Sequence, residues 1–265
     1  MPEQTSTPVE QTLSQFLSVR RTAPRAWPQD TAAMRIDIEA PPAWPDGQWV
    51  PIALHRRGEG PPALLVHGWQ SQAADLMPLA EALLDAGFSV WAPDLPGHGH
   101  SGGAHLAIPL AAAALREASR AAGGFAVAVG HSYGAASLVH ALTQGLPAQR
   151  VVLMAAPTHY GQFARFAASK SGLDEAQTGL LLGRLHEVSG EHPDRIDMRR
   201  QVEKLTQPAL LMHSTDDPVV PATDLQAVAE RWPGAQWHPL TGLGHFQLLA
   251  DPGVLAEVCA FATRA

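Results

Sequence analysis

Apolar residues follow two alternating patterns along the chain from about residue 34 onward. Short apolar runs predict strands, and they alternate with longer stretches whose apolar residues recur at helical spacing. The strands are predicted over residues 34–39, 48–56, 63–67, 88–92, 125–129, 150–155, 209–213 and 236–239. Helices are predicted over residues 73–85, 135–143 and 255–263, and a further, alanine-rich helix ends at about residue 122. This alternation is typical of the α/β class, in which helices cover a mostly parallel sheet. A proline-rich turn joins the first two strands, and we expect them to be antiparallel.

Two segments break this alternation. The N-terminal extension, residues 1–33, is rich in Gln, Thr, Ser and Pro, and its Leu13, Phe16 and Leu17 predict a short helix packed on the body. A second segment, residues 158–206, carries no strand pattern, and we expect two or three short helices inserted there between consecutive strands. The α/β core is assigned to residues 34–157 and 207–265.

The composition argues against several classes of function. The 265 residues carry a formal net charge of −7 without a run of Lys or Arg, so a small-molecule substrate fits better than a nucleic acid or an anionic membrane surface. Cys259 is the single cysteine, which leaves no disulfide framework and no thiolate metal site. No apolar stretch approaches the roughly 18 residues of a membrane span. Glu3 and Glu10 stand where a secretory signal would be basic and then apolar, so we expect a cytoplasmic protein.

A nucleophile is predicted at a turn between a buried strand and a helix. The turn is Gly130-His131-Ser132-Tyr133-Gly134. It matches the G-x-S-x-G pattern, in which a serine sits on a sharp strand-to-helix turn. Such a turn leaves no room for a Cβ atom two positions before or after the serine, which explains both glycines. Because Ser132 then lies at the start of a helix, the helix dipole favours negative charge developing beside it.

A serine hydroxyl needs a histidine to take its proton and a carboxylate to orient that histidine. Among the thirteen histidines, His245 lies in a glycine-rich loop between the last predicted strand and the last helix. The strand over residues 209–213 is followed closely by Asp216 and Asp217, and we choose Asp217, which a proline follows, as the acid. Asp216 is then a solvated loop residue or a second partner. Asp94 precedes the serine in a glycine-rich loop and is interpreted as bracing that loop.

The oxyanion of a tetrahedral intermediate needs backbone N–H donors. Tyr133 directly follows the nucleophile and supplies one donor. The second is expected from the loop after the strand over residues 63–67, where Gly68 lets the backbone turn inward and Trp69 offers its amide. His67, at the end of that strand, is interpreted as a hydrogen-bonded brace rather than a metal ligand or a base.

Several motifs in this order resemble those of the α/β-hydrolase superfamily. They are His67-Gly68-Trp69, Asp94-Leu95-Pro96-Gly97-His98-Gly99-His100-Ser101, the turn around Ser132, Asp217-Pro218-Val219-Val220-Pro221 and Gly244-His245. The resemblance implies a serine, aspartate and histidine triad in chain order, in an eight-stranded, mostly parallel sheet whose second strand is antiparallel. It also implies that residues 158–206 form a small helical cap over the active site. The general pattern does not account for the N-terminal extension.

These residues predict hydrolysis of carboxylic esters with small to medium apolar acyl groups, through an acyl-enzyme and without a cofactor or a metal ion. An apolar pocket is predicted from the aromatic rings of Trp69, Tyr133, Tyr160, Phe163, Phe166 and Phe246. The same triad could serve a thioesterase, a carbon–carbon bond hydrolase, a cofactor-free haloperoxidase or perhydrolase, or a hydroxynitrile lyase. Ser132 argues against a dehalogenase or an epoxide hydrolase, which resemble this family but have an aspartate at the turn. The complete triad argues against a non-catalytic scaffold.

Overall fold

The computed structural model describes residues 7–264. Its strands are β1 (Ala32–Glu39), β2 (Trp49–Arg57), β3 (Pro62–Val66), β4 (Ser89–Pro93), β5 (Phe125–His131), β6 (Ala148–Met154), β7 (Ala209–Ser214) and β8 (Ala235–Leu240). Its α-helices are α1 (Pro8–Leu17), α2 (Met77–Asp85), α3 (Ile108–Ala122), α4 (Tyr133–Thr143), α5 (Tyr160–Lys170), α6 (Glu175–Ser189), α7 (Met198–Gln201), α8 (Ala222–Ala229) and α9 (Pro252–Ala262). Short 3₁₀ helices lie at Ala73–Leu76, Pro193–Arg195, Val202–Lys204 and Gln247–Leu249.

The strands form one sheet in the order β1-β2-β4-β3-β5-β6-β7-β8. Strand β2 runs antiparallel to both of its neighbours, while the pairs from β4 through β8 are parallel. The predicted fold class and the antiparallel second strand are therefore confirmed. The central strands are buried on both faces by helices, which explains why they are continuous apolar runs rather than alternating ones.

Successive side chains of each central strand enter different cores, because they point to opposite faces of the sheet. In β3, Leu64 packs in the core under α3, α4 and α8, whereas Leu65 packs in the core under α2 and α9. The helix α8 was not predicted from the sequence. Only Leu225 and Val228 are buried in this eight-residue helix, so its periodic signal is weak. Within residues 7–264, no helix is long and apolar enough to cross a membrane.

The segment between β6 and β7 is helical, as its pattern predicts. It contains α5, α6 and α7, and the first two are longer than the short helices expected. A third apolar core joins α5 and α6 to β1, β2, α3 and the N-terminal helix. In this third core, Leu13 and Leu17 of α1 share a cluster with Leu181 and Leu185 of α6.

The N-terminal segment after α1 crosses the loops that follow β3 and β4. The guanidinium of Arg21 donates to the carbonyls of Ser101 and Gly103. The backbone N–H of Arg25 donates to Gln72 Oε1 over 2.7 Å. The predicted helix of the extension is thus present and packed on the body, while residues 1–6 lie outside the described part of the chain.

Candidate active site

Ser132 occupies a strained turn between β5 and α4. Its φ of 51° and ψ of −123° lie in a region that residues with a Cβ atom rarely adopt. A Cβ on Gly134 would lie 2.5 Å from the Val66 carbonyl oxygen and closer still to the His67 carbonyl oxygen. A Cβ on Gly130 would lie 2.6 Å from the Ala135 Cα atom. Both glycines are therefore required by close backbone contacts, as the sequence pattern predicts.

Three predicted side chains meet in one chain of hydrogen bonds. His245 Nε2 lies 3.0 Å from Ser132 Oγ, and His245 Nδ1 lies 2.7 Å from Asp217 Oδ2. Both distances are within the range in which a base can accept a proton from a nucleophile. Asp217 follows β7 and His245 follows β8, so both lie at the edge of the sheet where β5 delivers Ser132.

Asp217 is held in its ionised form. Burial raises the pKa of its carboxyl, but hydrogen bonds from His245 and from the Val219 and Val220 amides outweigh that effect and leave the pKa below its usual range. Asp217 Oδ1 accepts from the Val219 amide over 2.7 Å and from the Val220 amide over 3.1 Å. The ionised carboxylate accepts the Nδ1 proton of His245, which leaves Nε2 free to accept a proton from Ser132 Oγ.

Of the two adjacent aspartates, Asp217 contacts His245 and Asp216 contacts the loop that carries His245. Asp216 Oδ1 accepts from Ser214 Oγ over 2.5 Å and from the Gly242 amide over 2.8 Å. Its side chain therefore ties the end of β7 to the histidine loop.

Two further buried histidines support this chain and were not singled out from the sequence. His131 Nε2 donates to the backbone carbonyl of His245 over 2.9 Å. His213 Nε2 donates to Asp217 Oδ2 over 3.0 Å and lies 3.1 Å from the Val220 carbonyl, while its Nδ1 atom is buried without a partner among residues 7–264. Burial lowers the pKa of both rings, that of His131 to about 4, so each is a neutral donor near neutral pH. In the sequence, the signal that could have identified these two histidines is their position at the ends of predicted buried strands.

Backbone N–H groups of Trp69 and Tyr133 lie beside the nucleophile. Within residues 7–264, neither N–H has an acceptor in the protein. A Cβ on Gly68 would lie 3.1 Å from the Cβ of Ser132, so the loop after β3 approaches the serine closely. Tyr133 begins α4, whose N-terminal end favours negative charge. The two free donors therefore suit an oxyanion that develops next to Ser132.

Neutral histidines hold this loop in shape. His67 Nε2 accepts from the Leu95 amide over 2.9 Å, and its Nδ1 donates to the Gly68 carbonyl over 2.8 Å. His98 Nε2 accepts from the Gln70 amide over 3.0 Å, and its Nδ1 donates to the Pro96 carbonyl. Burial lowers the pKa of both histidines, that of His98 to about 4. The interpretation of His67 as a brace matches these contacts.

In the part of the chain that the structure describes, one group of three side chains has atoms close enough to share a metal ion, namely His55, Asp94 and His100. The Asp94 carboxylate already accepts from the Ala73 amide over 2.8 Å, the His100 amide over 2.9 Å and His55 Nε2 over 3.0 Å. Burial raises its pKa, but these donors dominate and bring it to about 2. Asp94 thus braces its loop, as expected from the sequence.

A cavity of about 410 Å³ opens at Ser132. It is lined by Gln15, Phe16, Ser18, Trp69, Gln70, Ile108, Ser132, Tyr133, Ala136, Pro157, Thr158, His159, Tyr160, Phe163, Ile196, Met198, Gln201, Val219 and Val220. Four of the six predicted aromatic rings are among these residues. Phe166 and Phe246 are not among the lining residues, and both are more than 60% exposed (63% and 62%). Phe166 lies against Lys170, and Phe246 lies against His131 and His245.

A sequence profile described as the alpha/beta hydrolase family matches residues 63–202, more than half of the chain. The chain belongs to this family. The matched part holds Ser132, Trp69 and Tyr133, whereas Asp217 and His245 follow it along the chain.

Curated relatives and solved structures agree with this membership. A pimeloyl-(acyl-carrier protein) methyl ester esterase of Xanthomonas campestris pv. campestris is 28% identical over 76% of this chain and 94% of its own length. The similarly named protein of Xylella fastidiosa strain M12 is 30% identical over 73% of this chain and 91% of its own. The structure of the Pyrococcus furiosus esterase Pf2001 superposes with a TM-score of 0.67, at 18% identity, over 92% of this chain and 95% of its own. That likeness concerns the fold.

Replacing Gly134 with alanine should destabilise the protein by about 1–3 kcal/mol, because the new Cβ overlaps two backbone carbonyls that cannot move independently. The control is Gly183→Ala in α6, where no atom of residues 7–264 beyond its chain neighbours and the adjacent helix backbone lies within 4 Å of the new Cβ. That change should stabilise the protein by about 0.5–1 kcal/mol, since alanine favours a helix over glycine. Urea unfolding measures both. Equal effects of the two substitutions would contradict the close approach at Gly134.

The free energy of unfolding should decrease as the pH falls from about 6.5 to about 4. Burial lowers the pKa of His98 and His131 from 6.5 to about 4, so in this window the unfolded chain binds protons that the folded chain does not. Each histidine accounts for up to about 3 kcal/mol. Urea unfolding at several pH values measures the slope, which should be shallower in His98→Asn. A free energy that is flat across this window would refute the assignment of neutral buried rings.

Proposed function

We propose that this protein is a serine hydrolase that cleaves carboxylic esters of small to medium apolar acyl groups through an acyl-enzyme. The observation that carries the proposal is the continuous hydrogen-bonded chain from Asp217 through His245 to Ser132, which ends in an apolar cavity. The names of the curated relatives, which are methyl ester esterases, support the same reaction.

In the first half of the reaction, Ser132 Oγ attacks the carbonyl carbon of the ester while its proton passes to His245 Nε2. The carbonyl oxygen becomes an oxyanion, which accepts hydrogen bonds from the Trp69 and Tyr133 amides. When this intermediate collapses, His245 returns the proton to the departing alcohol oxygen. The acyl group remains on Ser132 as an ester.

In the second half, a water molecule takes the place of the alcohol. His245 Nε2 accepts a proton from the water, whose oxygen attacks the acyl carbon and forms a second oxyanion at the same two amides. Collapse releases the carboxylic acid and returns the proton to Ser132 Oγ. Throughout, Asp217 stays ionised, keeps the His245 ring in place and stabilises its protonated form.

The cavity lining supports the choice of substrate. Most lining side chains are apolar, and none of those that border the cavity within residues 7–264 is an Asp, Glu, Lys or Arg. A charged group would therefore lose its hydration there without gaining a partner. We assign the cap to residues 158–206, because residues of both α5 and α7 line the cavity. The relatives are named for a methyl ester on an acyl-carrier protein, so methyl esters belong in the assay panel.

The substitution Ser132→Ala should abolish hydrolysis of p-nitrophenyl acyl esters, with turnover reduced by at least about 10⁴-fold. The reason is that, among residues 7–264, the hydroxyl that His245 Nε2 contacts is that of Ser132. Initial rates over a series of acyl lengths measure this effect, and thermal unfolding checks that the variant is folded. A Ser132→Ala protein as active as the wild type would overturn the proposed function.

Asp217→Asn and Asp216→Asn should separate the acid from its neighbour. An amide at position 217 favours the wrong tautomer of His245, and we expect turnover to fall by about 10⁴-fold. At position 216 the change weakens contacts to Ser214 and Gly242 but leaves the His245 hydrogen bond intact, so we expect a loss within about tenfold. Steady-state kinetics measure both variants. The reverse order of effects would assign the acid to Asp216.

A further inference from the structure

The N-terminal helix α1 contributes one wall of the cavity at Ser132. Gln15 and Phe16 of α1 and the following Ser18 border the cavity together with residues of the core and of the inserted helices. Phe16 is the large apolar member of this group. A segment that precedes the sheet in the chain therefore reaches the reaction site.

Phe16 stands at the end of a row of aromatic rings. The ring centroids of Phe16 and Tyr160 are 5.6 Å apart, and those of Tyr160 and Tyr133 are 6.4 Å apart. Tyr133 in turn lies 5.3 Å from Trp69. Because Tyr133 directly follows Ser132, the row leads from the nucleophile along the cavity to α1. All four residues border the cavity, so a chain bound along the row would contact aromatic rings.

The position of α1 is well determined by packing and by backbone hydrogen bonds. Leu13 and Leu17 are at most 6% exposed and belong to the third core with α5 and α6. The Leu106 amide donates to the Leu17 carbonyl over 2.9 Å, and the Val19 amide donates to the Ala104 carbonyl over 2.8 Å. Phe16 is thus carried by an element with a fixed position, and its partly buried ring packs against two of the apolar cores.

The family profile covers the other three rings of the row but not Phe16. Trp69, Tyr133 and Tyr160 fall within the matched residues 63–202, whereas Phe16 lies outside that match. The far end of the row is therefore a feature of this chain's N-terminal segment rather than of the matched part.

We propose that Phe16 determines specificity by limiting the length of the straight apolar chain that the cavity accepts. This inference rests on the proposed function and names its substrate class: esters whose aliphatic chain lies along the aromatic row and ends at Phe16. The chain is the acyl arm or the alcohol arm of the ester, and two substrate series distinguish these sources.

The experiment compares Phe16→Ala and Phe16→Trp with the wild type. Both substrate series are graded in length, p-nitrophenyl esters of straight-chain acids and acetate esters of straight-chain alcohols. Removing the ring should move the maximum of kcat/KM to longer chains, and the larger ring should move it to shorter ones. Each methylene that gains or loses burial changes kcat/KM by about fourfold. The substrate series in which the maximum moves shows whether the acyl arm or the alcohol arm lies along the row.

The matched control is Leu180→Ala, in α6, whose side chain is 62% exposed and outside the cavity.

The proposal is overturned if both Phe16 variants keep the wild-type length profile, or if they lower kcat/KM equally at every chain length. If one variant folds poorly, the other still decides, since each has its own expected direction.

A second readout does not depend on turnover. Straight-chain primary alcohols of graded length, which carry no charge, are titrated into Ser132→Ala and into Ser132→Ala combined with Phe16→Ala, with tryptophan fluorescence as the signal. A wild-type protein that hydrolyses no ester refutes the proposed function, whereas an unchanged length dependence of binding refutes the role of Phe16.

Discussion

The close contact between Gly134 and the end of β3 is the constraint on which the site depends. Helix α4 starts so near the carbonyls of Val66 and His67 that no side chain fits at position 134. This contact holds the strand-to-helix turn in its strained form and keeps Ser132 in the left-handed region, with its hydroxyl towards His245. It also brings the loop after β3 against the nucleophile, so the two candidate oxyanion donors come from elements that touch each other.

Neutral histidines provide most of the polar support around this contact. His67 and His98 each accept one backbone N–H and donate to one carbonyl, a pairing that only a neutral imidazole can make. His131 and His213 each donate through Nε2 alone, His131 to the His245 carbonyl and His213 to Asp217 and the Val220 carbonyl. Burial keeps all four uncharged, so they position the reacting groups without placing positive charge beside His245. The same burial makes the site sensitive to acid, because each ring must be protonated when the chain unfolds.

Sequence patterns predicted the strands, the nucleophile turn and the partners of Ser132, because each of these is encoded locally. A glycine on either side of a serine, or an aspartate just after a buried strand, is visible within a few residues. The orientation of Phe166 and Phe246 is not local: which face a ring on a helix or loop presents depends on what packs against that element. The same limit applies to His213, whose partner Asp217 is near in sequence but whose burial depends on neighbouring strands.

The sequence pattern predicts a helix in the N-terminal segment, packed on the body, but the contribution of this helix to the cavity depends on tertiary contacts. Besides supplying Phe16, the segment bonds to the loops after β4 and β3 through Arg21 and Arg25. Those bonds support the loop that carries Trp69. Loss of these hydrogen bonds would displace the loop and weaken the stabilisation of the oxyanion. Turnover of every ester would then change by the same factor. A change at the Phe16 ring acts on the buried length of one arm, and therefore on the difference between esters. The two effects of one segment separate because the oxyanion is common to all substrates, whereas the far end of the cavity is reached only by long ones.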